Sequence, residues 1–492
     1  MKIKIKTIFQ KLLEIVVLSV TFTVACIVRA VLTITFLNRI FRKKLFKYVE
    51  TFEDFKIENE ILPVEGEENW VFTASKFKVL QITDVHIGAG ALSYKKDKMA
   101  INAIASMIKA ENPDLVILTG DLAYPIPILS GNKNNLLCLQ VLARLFEVLN
   151  SYWTFTLGNH DVEFYAKYAN EDLVREIGKS KMCLARFPKD TSVQIDHLIE
   201  IKTPDNITTR CLVILDSHSY IKEDKYGMHM QYDNIKDTQL DWYENKINKI
   251  TLNNIRTVKK ENNLEIKEEL RGNDLDETVL LENQTLGVSC HSSVNDSDET
   301  SLPANRASDK VTEVLVNDLN EIALLENRPS SSLFFHIPIR EYKDAWLKYL
   351  DNGKENTDEV KLDFGVIEEK NRIVYHGEGV DNVYAVAQKT GCDSMFCGHD
   401  HYNNMSVLYT KNKGDRPIRL TYGLSLDYFA YPFIAKRGRQ RGCMVITYEN
   451  KDIQVVQSNY YQDKYISKYE KEKVKDMDII LNTINETKTP KA

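Results

Sequence analysis

Five times along the chain a short apolar run stops abruptly, and the residues that follow are Asp, Asn and His. The runs are "FKVLQIT", "LVILTG", "WTFTLG", "SLFFHI" and "SMFCG". The clusters at their ends are "TDVHIG", "TGDLAY", "LGNHD", "FHIP" and "CGHDH". A bounded apolar run of this length reads as a buried strand. Between the first two runs, Ile101, Ile104, Ala105 and Ile108 fall at i, i+3, i+4 and i+7, the stripe of an amphipathic helix. Leu136 to Leu149 supplies a second helix, and "CLVILDS" a further strand. Strands separated by helices imply βαβ units and an α/β sandwich. Functional residues of such sheets gather just beyond the carboxyl ends of strands, so clusters distant in sequence are expected to converge.

The converging groups are oxygen and imidazole donors with no thiolate among them. That set suits iron, zinc or manganese better than the all-oxygen shells of calcium. There are enough donors for two ions. Asp84, His86, Asp121 and His401 can surround one, and Asp121, Asn159, His336 and His399 the other, with the Asp121 carboxylate bridging. Two ions about 3.5–4 Å apart generate a hydroxide at neutral pH and clamp the charge of an in-line displacement at phosphorus. His160, beside Asn159, is placed to serve the leaving oxygen as a general acid. Taken singly, each cluster has an ordinary explanation: an Asp after a strand forms turns and caps helices, and a lone His can be a satisfied core residue. The order D-x-H, G-D, G-N-H, H, G-H-x-H on successive strand ends is what makes the joint reading.

On these residues the chain resembles the calcineurin-like metallophosphoesterases, whose motif set is D-x-H, G-D, G-N-H-D/E, H and G-H-x-H. "FKVLQITDVHIG", "ENPDLVILTGDLAY", "LDSHSY", "FFHIPIREY" and "CGHDHYN" are similar to a group of fungal phosphatases and to plant purple-acid-phosphatase-like proteins. The resemblance runs from Phe77 to Glu449, apart from an insertion described below. It implies a four-layer α/β/β/α sandwich with a dimetal site at one sheet end. It also implies hydrolysis of phosphoesters, with phosphomonoesters on a protein or small molecule expected and phosphodiesters the alternative. A reading from another class is a non-catalytic, membrane-associated scaffold that keeps the fold.

The chain also departs from the pattern. "YGLSLDYFAYP" carries Leu424, Ser425 and Leu426 where relatives have a glycine-rich turn, so a bulkier wall of the substrate cleft is expected. Val162 follows "GNHD" where an acidic residue is common. Tyr124 matches the G-D-x-x-Y position at which purple acid phosphatases place a tyrosinate on ferric iron. Their first motif lacks the histidine that stands here as His86, and both side chains would compete for the same side of one ion. With His86 present, Tyr124 is expected to neighbour the site rather than close its shell. Asp216 and His218 in "LDSHSY" either orient a ligand histidine or hydrogen-bond within their loop. Arg437, Arg439 and Arg441 either grip a substrate phosphate or form a solvated hairpin. His229 and His376 have no motif context.

The 492 residues, with a net charge of -6, offer no general attraction to nucleic acid. The eight cysteines are scattered without C-x-x-C pairs, which suits buried thiols rather than a disulfide scaffold or zinc ribbon. An apolar run from Ile15 to Leu37, broken by Arg29, is long enough to cross a bilayer. It is flanked by Lys2, Lys4, Lys6 and Lys11 on one side and by Arg39, Arg42, Lys43 and Lys44 on the other. A single-pass membrane anchor is expected, with the balanced flanks leaving its orientation open. The alternative is a cleaved signal and a secreted or lumenal protein. The expected organisation is an anchor over 1–45, a polar linker over 46–70, the phosphoesterase domain over 71–460 and a polar tail over 461–492. Within the domain, 249–329 reads as a polar, disordered insertion that can bind protein partners, with Val311 to Leu325 as a short amphipathic helix inside it. After Gly398 the chain reads as β-rich.

Overall fold

The computed structural model describes residues 19, 20, 23, 35–186, 195–272, 321–368, 373–379, 381–431, 434 and 441–469. The strands are β1 (Val64–Glu65), β2 (Trp70–Thr73), β3 (Lys76–Ile82), β4 (Leu115–Thr119), β5 (Trp153–Thr156), β6 (His197–Lys202) and β7 (Thr208–Ile214), followed by β8 (Ser330–Phe334), β9 (Val360–Phe364), β10 (Cys392–Cys397), β11 (Ser406–Tyr409), β12 (Ile418–Tyr422), β13 (Gly442–Glu449) and β14 (Asp452–Tyr460). One sheet has nine strands in the order β1-β2-β6-β7-β8-β10-β12-β11-β9, and the other has five in the order β14-β13-β3-β4-β5.

Side chains alternate across a strand, so a fully apolar strand must feed two cores at once. In β3, Phe77 and Val79 enter one apolar layer while Leu80 and Ile82 enter another. β4 sorts in the same way, with Leu115 and Ile117 against Val116 and Leu118. From the other sheet, Leu212, Ile214, Phe334 and Phe396 join the layer of Phe77, whereas Val213, Leu333 and Met395 face a third layer. The middle layer therefore lies between the sheets. The outer two are closed by helices: Tyr94–Glu111 and Asn135–Leu149 over the five-stranded sheet, and Asp237–Gly272, Glu341–Asp351 and Val383–Thr390 over the nine-stranded one. The result is an α/β/β/α arrangement.

β3, β4 and β5 run parallel, as do β7, β8, β10 and β12, so their carboxyl ends lie in register. The sheets are tied at that end. Gln81 donates to the Cys397 carbonyl at 3.1 Å, and Thr156 to the Leu215 carbonyl at 2.9 Å.

Three boundaries differ from the expected organisation. The segment 46–70 is not a solvated linker: Val49, Phe52 and Ile57 are buried in the layer that also holds Leu45 and the helix Tyr94–Glu111. The insertion starts later than Lys249, because the helix Asp237–Gly272 passes through that point and buries Ile250, Leu252 and Ile255. A helix apolar on one face only has the average composition of a polar segment, which concealed it. Residues 273–320 lie outside the described residues, and of the helix expected over 311–325 the described part is Glu321–Asn327. The tail likewise begins as core: Tyr461 and Tyr465 are buried, and the Tyr465 hydroxyl donates to Glu111 Oε1 at 2.9 Å. Residues 470–492 lie outside the described residues, as does most of the Ile15–Leu37 run. Among the described residues no helix is long and apolar enough to cross a membrane.

Candidate metal centre

Asp84, Asp121, His336 and His399 each stand two residues past the end of a strand, β3, β4, β8 and β10 respectively, and Asn159 three past β5. The chain turns sharply there. Asp84, His86, Asp121 and His399 all adopt left-handed backbone, with φ of 54°, 53°, 52° and 75°. This conformation disfavours residues with a Cβ, and strain of that kind collects at functional sites. The neighbouring glycines are required by space. A Cβ on Gly120 (φ 82°) would lie 2.5 Å from His336 Cγ, and one on Gly158 would lie 2.2 Å from Asp121 Oδ1.

The turns bring together two groups of buried donors that share Asp121. Potential ligand atoms of Asp84, His86, Asp121 and His401 all lie within 4.8 Å of one another, as do those of Asp121, His336 and His399. Asp121 Oδ2 is 3.4 Å from His86 Nε2 and 3.2 Å from His336 Nε2. His401 Nε2 lies 3.5 Å from Asp84 Oδ1. His336 Nδ1 donates to the Thr119 carbonyl at 2.9 Å, so in the neutral ring the lone pair is on Nε2. That nitrogen faces Asn159 Oδ1 and His399 Nδ1, both at 3.3 Å. Asp121 Oδ2 and His86 Nε2 are buried and make no hydrogen bond among the described residues. Lone pairs aimed at one another, with too few protons to share, suit a cation between them.

The charges point the same way. Burial opposes a charge on His86, yet the carboxylates of Asp427 and Asp121 hold it well above the usual imidazole range. Burial likewise opposes protonation of His336, and Asp121 lifts it to about 9. Burial pushes His399 and His401 down. Burial would raise Asp121, but His336 and His160 hold it well below the carboxylate range. The buried carboxylates draw positive charge onto whatever lies between them.

Residues that sequence reasoning missed hold the donors in place. Asp427 Oδ2 stands 3.4 Å from His86 Nδ1 and 3.4 Å from His401 Nδ1, on the ring nitrogens turned away from Asp121 and Asp84. Its carboxylate accepts the backbone N–H groups of Phe429, Ala430 and Tyr431 at 2.6, 2.8 and 2.5 Å. Ser425 Oγ is 2.9 Å from His401 Nδ1. A carboxylate behind a ligand histidine fixes its ring and tautomer. The stretch "YGLSLDYFAYP" thus sets no bulky cleft wall at Leu424, Ser425 and Leu426. It alternates, burying Leu424 and Leu426 in the apolar layers while Ser425 and Asp427 turn to the histidines. That period-two pattern was the available signal.

The outer parts form a chain of hydrogen bonds. Asn159 Nδ2 donates to the Tyr220 hydroxyl at 3.0 Å, and Tyr220 donates to Glu163 Oε1 at 3.1 Å. The same carboxylate oxygen lies 2.8 Å from His160 Nδ1. The acid thus comes one residue after Val162. The Tyr124 ring lies edge-on to His86 and His160, with centroids 5.1 and 5.0 Å away. Burial, then the Asp427, Glu163 and Asp121 carboxylates, push its phenol up to about 12.

Asp216 and His218 bond within their own surroundings. Asp216 Oδ1 accepts the His218 N–H at 2.8 Å, and His218 Nε2 lies 3.0 Å from Gln239 Oε1. Arg437 and Arg439 lie outside the described residues. Arg441 is neither a phosphate grip nor a solvated turn residue: it is buried, stacks on Tyr428 at 4.1 Å and donates to the Asp427 carbonyl at 2.6 Å. His229 and His376 make local backbone contacts with Asp224 and Gly377.

Comparison with known proteins agrees with this geometry. A protein of Arabidopsis thaliana named "Probable inactive purple acid phosphatase 14" is 28% identical over 194 residues, covering 35% of this chain. The aligned part is about half, 47%, of that relative's own length. A sequence model of the calcineurin-like phosphoesterase family matches residues 77–403, from β3 to just past His401 and over more than half of the chain. The chain belongs to the calcineurin-like phosphoesterase family.

Proposed function

We propose that the chain hydrolyses phosphoesters at this centre with two metal ions bound, phosphomonoesters being the preferred class. The observation that carries this reading is Asp121 Oδ2, a buried anionic oxygen without a hydrogen bond among the described residues. It is approached by one imidazole from each donor group, as a carboxylate shared by two cations requires. Asp84, His86, Asp121 and His401 would hold one ion, and Asp121, Asn159, His336 and His399 the other, with iron, zinc or manganese suited to the donors. Such ions supply an activated nucleophile at neutral pH and neutralise charge on the phosphoryl group.

The remaining work falls to side chains. The His160 side chain is 21% exposed, whereas those of His86, His336 and His401 are buried, so it can reach a bound substrate. With Nδ1 held by Glu163, its Nε2 is left to give a proton to the leaving oxygen. Tyr220 keeps Glu163 in place and ties it to Asn159. At the level of the whole chain, an anchor through residues 15–37 and protein partners at the insertion, which begins after the helix Asp237–Gly272 and not at 249, belong to the same proposal.

Elemental analysis of the purified chain, combined with turnover of nitrophenyl phosphate and its bis-ester, tests the reading. Two equivalents of metal and faster monoester hydrolysis are expected, both lost in Asp121→Asn. Preference for the bis-ester would make the chain a phosphodiesterase. The word "inactive" in the relative's name favours a second reading, a binding protein that keeps the site. Equal turnover by metal-loaded wild type and Asp121→Asn would establish that one.

A further inference from the structure

Beyond the centre, the same sheet end carries a cluster of exposed apolar side chains. Leu92 is 56% exposed, Ile128 86% and Leu129 50%. Leu92 sits on the segment that follows His86, and Ile128 and Leu129 on the one-turn helix Pro127–Ser130 in the segment that follows Asp121. The two segments are joined, because Leu92 N–H donates to the Ser130 carbonyl at 3.2 Å. The helix over 35–50 is fastened to both: Asn38 accepts the Ala91 N–H at 2.8 Å and donates to the Gly131 carbonyl. Phe36, 63% exposed, lies in the same turn as Asn38.

Charge around the patch is one-sided. Segments 35–49, 87–96 and 122–137, which build it, contain no Asp or Glu, in a chain whose net charge is -6. They contain eight Lys and Arg residues, of which Arg39, Arg42, Lys43, Lys44, Lys47, Lys95 and Lys133 are exposed. Exposed apolar side chains on segments whose charges are all basic match the boundary of an anionic bilayer, which takes apolar groups into the acyl region and holds basic groups at the headgroups. In sequence, the helix at Asn38 also directly follows the apolar run that ends at Leu37.

We propose that Leu92, Ile128, Leu129 and their basic surround dock on an anionic lipid surface and turn the metal-bearing sheet end toward it. The chain would then act on phosphoesters presented at the membrane. The docking itself stands apart from the hydrolytic reading and from whether the 15–37 run spans the bilayer.

The test uses the full chain with Cys26 and Cys290 changed to Ser, since the six cysteines in the described part are buried. An environment-sensitive fluorophore is placed at Ile128→Cys or, as a control, at the exposed Lys413→Cys, and vesicles of phosphatidylcholine with or without phosphatidylserine are added. The expected result is a blue shift and quenching by a lipid-borne quencher at position 128, neither occurring at 413. Changing Lys43 and Lys44 to Gln should weaken the phosphatidylserine-dependent component by roughly fivefold per charge. Equal exposure of positions 128 and 413 with vesicles present overturns the proposal. So does shielding at 128 that needs no vesicles and grows with protein concentration, which would mean that a second copy covers the patch. Flotation with phosphatidylcholine vesicles in high salt, which releases a peripheral electrostatic contact but not an inserted helix, reports separately on the 15–37 run.

Discussion

Glu163 decides what His160 can do. Its carboxylate oxygen lies 2.8 Å from His160 Nδ1 and accepts the Tyr220 hydroxyl at 3.1 Å, so it fixes the ring and balances the charge of a protonated imidazole. Glu163→Gln keeps the shape and removes the charge. Hydrolysis of an alkyl phosphate, whose leaving oxygen needs a proton, should then fall by about 10²-fold. Hydrolysis of nitrophenyl phosphate should change little, because nitrophenolate departs unprotonated. Rates of the variant on both esters check this. An equal loss on the two would mean that Glu163 only supports the loop.

At the scale of elements, most of the fold could be read from apolar runs. The strands β3, β4, β5, β8 and β10 coincide with the five apolar runs that end in donor clusters, and β7 with "CLVILDS". β1 and β9 were not legible because their residues are largely exposed, and β6 because "HLIEIK" mixes charge into its apolar positions. Nor does local sequence announce that β13 pairs with β3, a contact across most of the chain. The entrance to β6 hides a balance of charges. Burial pushes Asp196 up to about 7, so the folded chain keeps a proton that the unfolded chain releases near pH ~4. Its contribution is full below that pH and is lost as pH rises toward 7. Burial pushes the adjacent His197 down to about 4, while the unfolded imidazole takes a proton below pH ~6.5. Its contribution is full above pH ~6.5 and is lost as pH falls toward 4. The slopes oppose each other over one window. Relative to wild type, His197→Gln should therefore lose stability as pH rises from about 4.5 to 7, and Asp196→Asn should gain it. Denaturant unfolding of all three proteins at several pH values reads both, and differences from wild type that slope the same way in the two variants would refute the pairing.

The whole molecule is two sheets that meet at the candidate metal centre. The five-stranded sheet contributes Asp84, His86, Asp121 and Asn159, and the nine-stranded sheet contributes His336, His399 and His401. The donors were legible one by one because each follows a strand. Asp427 was not, because its role depends on β12 carrying the chain back behind two histidines that come from different sheets. Ions held across this junction would fasten the sheets together, and their removal would leave the carboxylates of Asp84 and Asp121 buried within 4.8 Å of each other. A ligand bound only by the folded state adds about 3–4 kcal/mol at 100 to 1,000 times its Kd. Chelation should therefore lower Tm by about 5–10 °C, reversibly, in a chain of this size. Asp427→Asn should hold the ions about 10- to 100-fold more weakly and reach the lowered Tm at correspondingly less chelator. Asp121→Asn, which lacks the shared carboxylate, should start near the chelated Tm and respond little. Calorimetry of the three proteins across a chelator titration decides the matter: a wild-type Tm that does not move would show that the sheets are joined by their apolar middle layer alone.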